Sequence, residues 1–340
     1  MNGSSDIRRL PIYLLLDCSE SMAGEAIEDL SNGVADMIKI LRQNPNAIDT
    51  AWLSIITFSR YAKQEFPLTD LMTLQVPKLT IRPGTAIGAA LYLLKQCIEK
   101  EVRRTTSEVK GDYKPLVFIF TDGQPTDEWR HAAEQILSNK RVKIANMYAI
   151  GCGPDVDTNI LQQITDITFM MKGMTREDWH KVFIWLSASI QTASQAIGNE
   201  QSINLPALPD VLEEVTEPVS LENSQPRQVF LHAFCSNEKK PYLMRFGRRG
   251  ETSRYVAICS HPLEVYEKGD NEVLPPINSS LLDGCPNCPY CGNEAAALCG
   301  CGILICTSPS PEGNFTCPSC NQQGVFSREM TGFDINRSQG

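Results

Sequence analysis

At 340 residues the chain is long enough for two domains, and its 42% apolar and 21% charged residues fit globular folding rather than disorder. A formal charge of −9 argues against nonspecific nucleic-acid binding, which relies on Lys and Arg neutralising phosphates. No apolar run approaches the length of a membrane span and residues 1–9 lack the apolar core of a signal peptide, so a soluble, cytoplasmic protein is expected.

Residues 12–16 (IYLLL) form an unbroken apolar run, as a central strand of a parallel sheet does when helices cover both faces. The run ends in Asp17, Ser19 and Ser21, three short oxygen-bearing side chains at alternate positions. Gly24 follows, then a helical pattern through Ile27, Leu30, Val34, Met37, Ile38 and Leu41. Residues 51–59 read as a second strand, and 62–68 as an antiparallel edge strand. The turn at 82–86 (RPGTA) opens a helix through Ile87, Ala90, Leu91, Leu94 and Ile98. Residues 103–107 (RRTTS) are a polar connection that resembles a substrate of a basic-directed kinase, which makes Thr105, Thr106 and Ser107 candidate phosphorylation sites. An ordinary exposed loop explains the same residues more simply.

Residues 115–120 (PLVFIF) are another buried strand, ending in Thr121-Asp122-Gly123. A helix is expected from Thr126-Asp127 through Ala132, Ile136 and Leu137, with His131 on it. A strand at 142–150, a short helix at 159–164 and a strand at 168–171 come next. The helix at 177–197 closes the domain with Trp179, Phe183, Trp185 and Leu186 on its apolar face. Together these elements predict an α/β fold, a doubly wound and mainly parallel sheet.

In such a sheet the loops leaving parallel strands gather at one edge, where ligands bind. Asp17, Ser19, Ser21, Thr85 and Asp122 all sit in such loops and would converge there. Ser and Asp also cap helices, which alone would explain Asp17-x-Ser19-x-Ser21. Three loops agreeing favour a hard divalent cation, because such ions take oxygen ligands. The same loops argue against catalysis. They hold no His, Ser19 stands where a second catalytic carboxylate would be needed, and Cys18 points away from Asp17 and Ser19 by alternation. The chain here resembles the von Willebrand factor A domains, whose metal-ion-dependent adhesion site is an Asp-x-Ser-x-Ser loop, a distant Thr and a distant Asp in that order. The resemblance implies Mg²⁺ (or Mn²⁺ or Ca²⁺) held by Ser19, Ser21 and Thr85. Asp17 and Asp122 would act through water and hydrogen bonds, and one position would be left for an acidic side chain of a partner.

Residues 201–228 change texture to Pro and acidic residues, as a linker does, with a short helix possible at 210–215. The domains expected are therefore 1–200, the linker 201–228, a small β-rich module at 229–325 and a polar tail at 326–340. Segments VFLHAF, PYLMRF and YVAICS read as antiparallel strands, with Cys235 and Cys259 as packed thiols.

Thirteen cysteines in a reducing compartment are not expected to form disulfides, and eight of them crowd between Cys285 and Cys320. Cys-x-x-Cys turns aim two thiolates at one tetrahedral centre, and this stretch has too few large apolar residues for a core of its own. Bound zinc supplies on the order of 10–16 kcal/mol in comparable modules. One or two Zn²⁺ ions are expected. Cys288, Cys291, Cys317 and Cys320 would form a ribbon-like site, and Cys285, Cys299, Cys301 and Cys306 a second. An iron–sulfur run through Cys285, Cys288 and Cys291 lacks its fourth member, since position 295 is Ala.

An adhesion-site domain followed by Lys240-Pro241-Tyr242-Leu243 and the motifs at 288–292, 299–302 and 317–320 resembles the TerY proteins of bacterial tellurium-resistance systems. That resemblance implies a non-enzymatic adaptor working with a metal-dependent (PP2C-type) protein phosphatase and a Ser/Thr kinase in stress or phage-defence signalling. A scaffold subunit of a transcription or repair complex, or a metal-dependent hydrolase, are the alternatives.

Overall fold

A computed structural model describes residues 8–107, 110–122, 124–138, 143–153, 156–198, 206–217, 227–250, 252–267, 274–311, 313–326 and 332–338. The chain forms two compact units.

The first unit is built on a seven-stranded sheet. Its strands are β1 (Leu10–Asp17), β2 (Ala51–Phe58), β3 (Ala62–Asp70), β4 (Leu116–Thr121), β5 (Asn146–Gly151), β6 (Ile167–Met171) and β7 (Leu212–Glu214), in the order β3-β2-β1-β4-β5-β6-β7. All pairings from β2 to β6 are parallel, and the two edge strands β3 and β7 run antiparallel. Every residue of β1 and β4 is buried, as their unbroken apolar sequences require of strands covered on both faces. Among the described residues the helices connecting the strands are α1 (Glu25–Leu41), α2 (Pro45–Thr50), α3 (Ile87–Glu101), α4 (Arg130–Ser138), α5 (Thr158–Ile164) and α6 (Arg176–Gly198). Helices α1 and α6 touch where Gly33 leaves room for the Phe183 ring. A Cβ at position 33 would lie 2.1 Å from that ring.

The stretch read as a linker contributes to this sheet. No helix forms at 210–215. Leu212–Glu214 instead pairs with β6, and Val211 and Leu212 are buried. This short strand covers an otherwise open edge of the sheet, with Leu212 and the preceding Val211 as its apolar anchors. Val215 N–H also donates to the Thr168 carbonyl.

The second unit centres on a six-stranded sheet. Its strands are β8 (Gln228–Phe234), β9 (Pro241–Arg248), β10 (Tyr255–Pro262), β12 (Leu282–Asp283), β13 (Ala295–Leu298) and β14 (Leu304–Thr307), in the order β12-β10-β9-β8-β14-β13. Two small ladders join β11 (Ile277–Asn278) to β17 (Asp334–Ile335) and β15 (Asn314–Thr316) to β16 (Gln323–Val325). The expected polar tail therefore carries a strand, anchored by the buried Ile335. Among the described residues no helix is long and apolar enough to cross a membrane.

Candidate metal centres

Strand β1 is followed on one side by β2 and on the other by β4, so the sheet order reverses between β1 and β4. Crevices at such switch points, beyond the carboxyl ends of the strands, are where open α/β sheets bind ligands. Asp17 is the last residue of β1, and Asp122 directly follows the last residue of β4. Thr121 Oγ1 donates to Asp17 Oδ2 at 2.5 Å, linking the two strand ends. Ser19 and Ser21 follow in the loop before α1, their hydroxyls 2.9 Å apart. Cys18 N–H donates to the Phe58 carbonyl, holding this loop to the end of β2.

Thr85 arrives from the loop before α3. Its N–H donates to Thr126 Oγ1 at 2.9 Å, and Thr126 N–H donates to the Thr85 carbonyl at 3.0 Å. The next residue, Ala86, donates its N–H to the Ser59 carbonyl at 2.6 Å. Asp127 caps α3 by accepting from the N–H groups of Gly88 and Ala89. The loop is thus pinned to the exits of both β2 and β4. Sequence reading took Thr126-Asp127 only as the start of the next helix, but that helix begins at Arg130 and the Thr126 hydroxyl and Asp127 carboxylate hold this loop instead.

Asp17, Ser19 and Thr85 are fully buried, Asp122 is 9% exposed and Ser21 is partly exposed. Thr85 Oγ1 is buried without a hydrogen-bond partner. A buried hydroxyl left unpaired costs about 1–3 kcal/mol, so its position calls for a ligand. An all-oxygen donor set with one unpaired hydroxyl fits a hard cation. Cys152 lies on the loop after β5. Burial, aided by the nearby charges of Asp122 and Asp17, pushes its thiol well above the ordinary value, so it is no nucleophile. Cys18 is likewise closed off, its Sγ 3.8 Å from the Leu16 carbonyl. His131 sits on α4 beside Gln135. The residues at 103–107 are exposed and lie between α3 and β4, at the amino ends of the strands and so at the opposite pole. Within that loop Thr105 Oγ1 accepts from Gly111 N–H.

In the second unit two tetrads of thiols form: Cys235, Cys288, Cys291 and Cys306, and Cys299, Cys301, Cys317 and Cys320, with the sulfurs of each within 4.8 Å of one another. The closest pairs are Cys291–Cys306 at 3.5 Å and Cys299–Cys320 and Cys301–Cys317 at 3.7 Å. These are far longer than a disulfide and match the ~3.8 Å edge of a tetrahedron with Zn–S bonds of about 2.3 Å. Four sulfurs at such spacing fit a zinc ion in each tetrad.

This grouping corrects the expected one. Cys288 and Cys291 do not join Cys317 and Cys320, and Cys299 and Cys301 do not join Cys306. Cys285 belongs to neither tetrad, which also removes the iron–sulfur run. Its place is taken by Cys235 from the end of β8, expected to be an inert packed thiol. The reason is the fold of β14, which carries Cys306 alongside β8 and away from the hairpin turn holding Cys299 and Cys301.

A backbone signature sets Cys235 apart. Cys288 N–H donates to the carbonyl of Asn293, and Gly292 N–H donates back to the carbonyl of Cys288. Cys317 repeats the arrangement with Gln322 and Asn321, and Cys235 repeats it with Lys240 and Lys239. The fourth residue after each cysteine has positive φ: Gly292 at 75°, Asn321 at 59° and Lys239 at 58°. Lys239 in this left-handed conformation is costly for a residue with a Cβ, which marks the turn as built for a purpose. The sulfurs also receive donors, as metal-bound thiolates do. Ser236 N–H lies 3.2 Å from Cys306 Sγ, and Asn293 Nδ2 3.5 Å from it. Glu238 N–H lies 3.2 Å from Cys235 Sγ.

Fold and site together define an α/β domain with oxygen-bearing side chains in the loops at its switch point, followed by a cysteine-built metal module. The chain belongs to the von Willebrand factor type A domain family, whose model matches residues 12–182, and residues 226–340 match the TerY-C metal binding domain. This order of domains is that of TerY-type proteins. No curated protein matches the chain. Among solved structures it is similar to proximal thread matrix protein 1 from the mussel byssus, with 18% identity over 54% of this chain and 48% of that one (TM-score 0.39). The chain thus spans about half the length of that protein. A von Willebrand factor type A protein from Catenulispora acidiphila has 12% identity over 75% and 66% of the two chains (TM-score 0.42). The ArnB paralog VWA2 from Sulfolobus acidocaldarius has 13% identity over 78% and 68% (TM-score 0.39).

Proposed function

We propose that the chain is a non-enzymatic adaptor that captures an acidic side chain of a protein partner at a Mg²⁺ ion held by Ser19, Ser21 and Thr85, with Asp17 and Asp122 behind them. Bound there, the ion would supply a positive centre with a coordination position for a carboxylate. The observation that carries this reading is the buried, unpartnered Thr85 Oγ1, in a loop pinned to the exits of β2 and β4. Against catalysis stand the absence of His from the three loops and the protonated state of the Cys152 thiol. The zinc-loaded module would present a second docking surface. The resemblance to TerY proteins points to a Ser/Thr kinase and a PP2C-type phosphatase as partners in bacterial tellurite, stress or phage-defence signalling.

The test is a pull-down from the native host with Mg²⁺, with EDTA, and with Asp17→Ala and Ser19→Ala variants. Capture should require Mg²⁺ and both side chains, while zinc content stays unchanged in the variants. Partners retained equally under all four conditions would end this reading.

A further inference from the structure

Five of the thirteen cysteines lie outside the two tetrads. Cys18, Cys97 and Cys152 are buried, and burial together with Cys306 pushes Cys285 up to about 11. Cys259 differs from all four. It is partly exposed, and its Sγ lies 3.2 Å from Nε2 of His261. Partial exposure and a neighbouring imidazole are the two conditions that make a thiol reactive.

A β-bulge creates this pair. Tyr255 and Ala257 of β10 face the core of the second unit. Ala257 pairs with Phe246, yet Cys259 pairs with Arg245, so Ile258 is an extra residue in the ladder. Without it, Cys259 would oppose Met244 and His261 would oppose Tyr242, which are 1% and 0% exposed on the core face. With it, they oppose Arg245 and Leu243 on the other face. The bulge leaves Ile258 itself 57% exposed, an apolar side chain given up to solvent. Bulges are found where a side chain is re-aimed for use, and this one re-aims two.

Directly paired residues of a ladder have Cβ atoms about 4.5–5.5 Å apart, so Arg245 stands beside Cys259. The Arg245 guanidinium turns to the other side, toward β8, where Gln228 accepts from its Nε and the Phe230 ring lies 5.7 Å away, so His261 is the group that acts on the thiol. Glu264, on the segment leaving β10, is the acidic group nearest His261 in sequence.

We propose that Cys259, with His261 as its proton acceptor, is a modification site for hydroperoxides that becomes a sulfenic acid. The sulfur attacks the terminal peroxide oxygen, forming an S–O bond as the O–O bond breaks. Two electrons pass from sulfur to the peroxide. The departing alkoxide or hydroxide takes the proton that left the thiol for His261 Nε2, giving an alcohol or water. A peroxide suits this position because it needs no carbonyl-binding pocket, only an accessible thiolate and a proton donor.

The test uses the zinc-loaded full chain, limiting hydrogen peroxide, a sulfenic-acid trap and peptide mass spectrometry. Cys259 should be trapped first, about tenfold faster than in His261→Asn. Its alkylation rate in the unmodified chain should rise with pH through an ionisation below that of an ordinary thiol, and His261→Asn or His261→Gln should move that ionisation upward. Zinc content should stay constant throughout. The proposal is overturned if Cys259 is trapped no faster than Cys285. It is equally overturned if both His261 variants keep the rate and pH midpoint of the parent.

Discussion

Thr121 Oγ1 donates a 2.5 Å hydrogen bond to Oδ2 of Asp17, and both residues are fully buried. The bond ties the carboxyl ends of β1 and β4 at the point where the sheet order reverses. It also fixes which way the Asp17 carboxylate turns, as partners standing behind metal sites do. Thr121→Val should therefore weaken Mg²⁺ binding about 10–100-fold, the usual cost of losing such a partner. The rise in melting temperature on adding Mg²⁺ measures it, and an unchanged rise would show that the bond orients nothing.

Thr85→Val should act in opposite directions with and without metal. The valine keeps the shape and removes a buried hydroxyl that has no partner. The metal-free domain should then be as stable as the parent or up to about 1–3 kcal/mol more stable. The stabilisation from saturating Mg²⁺, about 2.7 kcal/mol at one hundred times the dissociation constant, should shrink. Urea unfolding with Mg²⁺ and with EDTA separates the two effects.

The regrouped thiols make a stoichiometric prediction. The purified chain should carry two Zn²⁺, and Cys235→Ser should lose the one held with Cys288, Cys291 and Cys306. Cys285→Ser should keep both. Metal analysis by mass spectrometry decides between this grouping and the one that spacing alone suggests.

Zinc uptake should release protons. In the metal-free fold burial pushes the Cys301 thiol up to about 12 and raises Cys291 and Cys299 as well. Burial also opposes ionisation of Cys306, but hydrogen bonds from Ser236, Asn293 and Cys291 outweigh it and bring that thiol down to about 7. A thiol depressed in the fold stabilises it above the ordinary value near 9, and this contribution is lost as pH falls through 7. At pH 7 the raised thiols are protonated before zinc arrives, so binding should release protons at both centres. Calorimetry in buffers of different ionisation heat counts them, and zinc should leave as the pH is lowered.

Legibility in the sequence followed how local each signal is. The apolar runs ending in Asp17 and Asp122 are contiguous, and a parallel sheet gathers their exits at one edge whatever the rest of the chain does. The same reasoning placed Thr85 in a loop that reaches this edge. The thiol grouping was not legible because spacing shows which cysteines share a turn, not which turns face each other. Cys235 lies 53 residues before Cys288, and only the β8–β14 pairing brings it in. Its turn does carry a readable trace, Lys239-Lys240-Pro241 five residues before a strand centre, but no second cysteine to draw the eye. The edge strand at Leu212–Glu214 was hidden for a different reason: three residues between prolines and glutamates have no periodicity to detect.

Read along the chain, the ligands of the two thiol tetrads alternate: Cys306 of one falls between Cys301 and Cys317 of the other. The hairpin formed by β13 and β14 is therefore braced from both ends, with Cys299 and Cys301 at its tip and Cys306 on its returning strand. Neither centre can be excised as a self-contained finger. Stripping one ion should lower the affinity of the other without releasing it, because both rest on this hairpin.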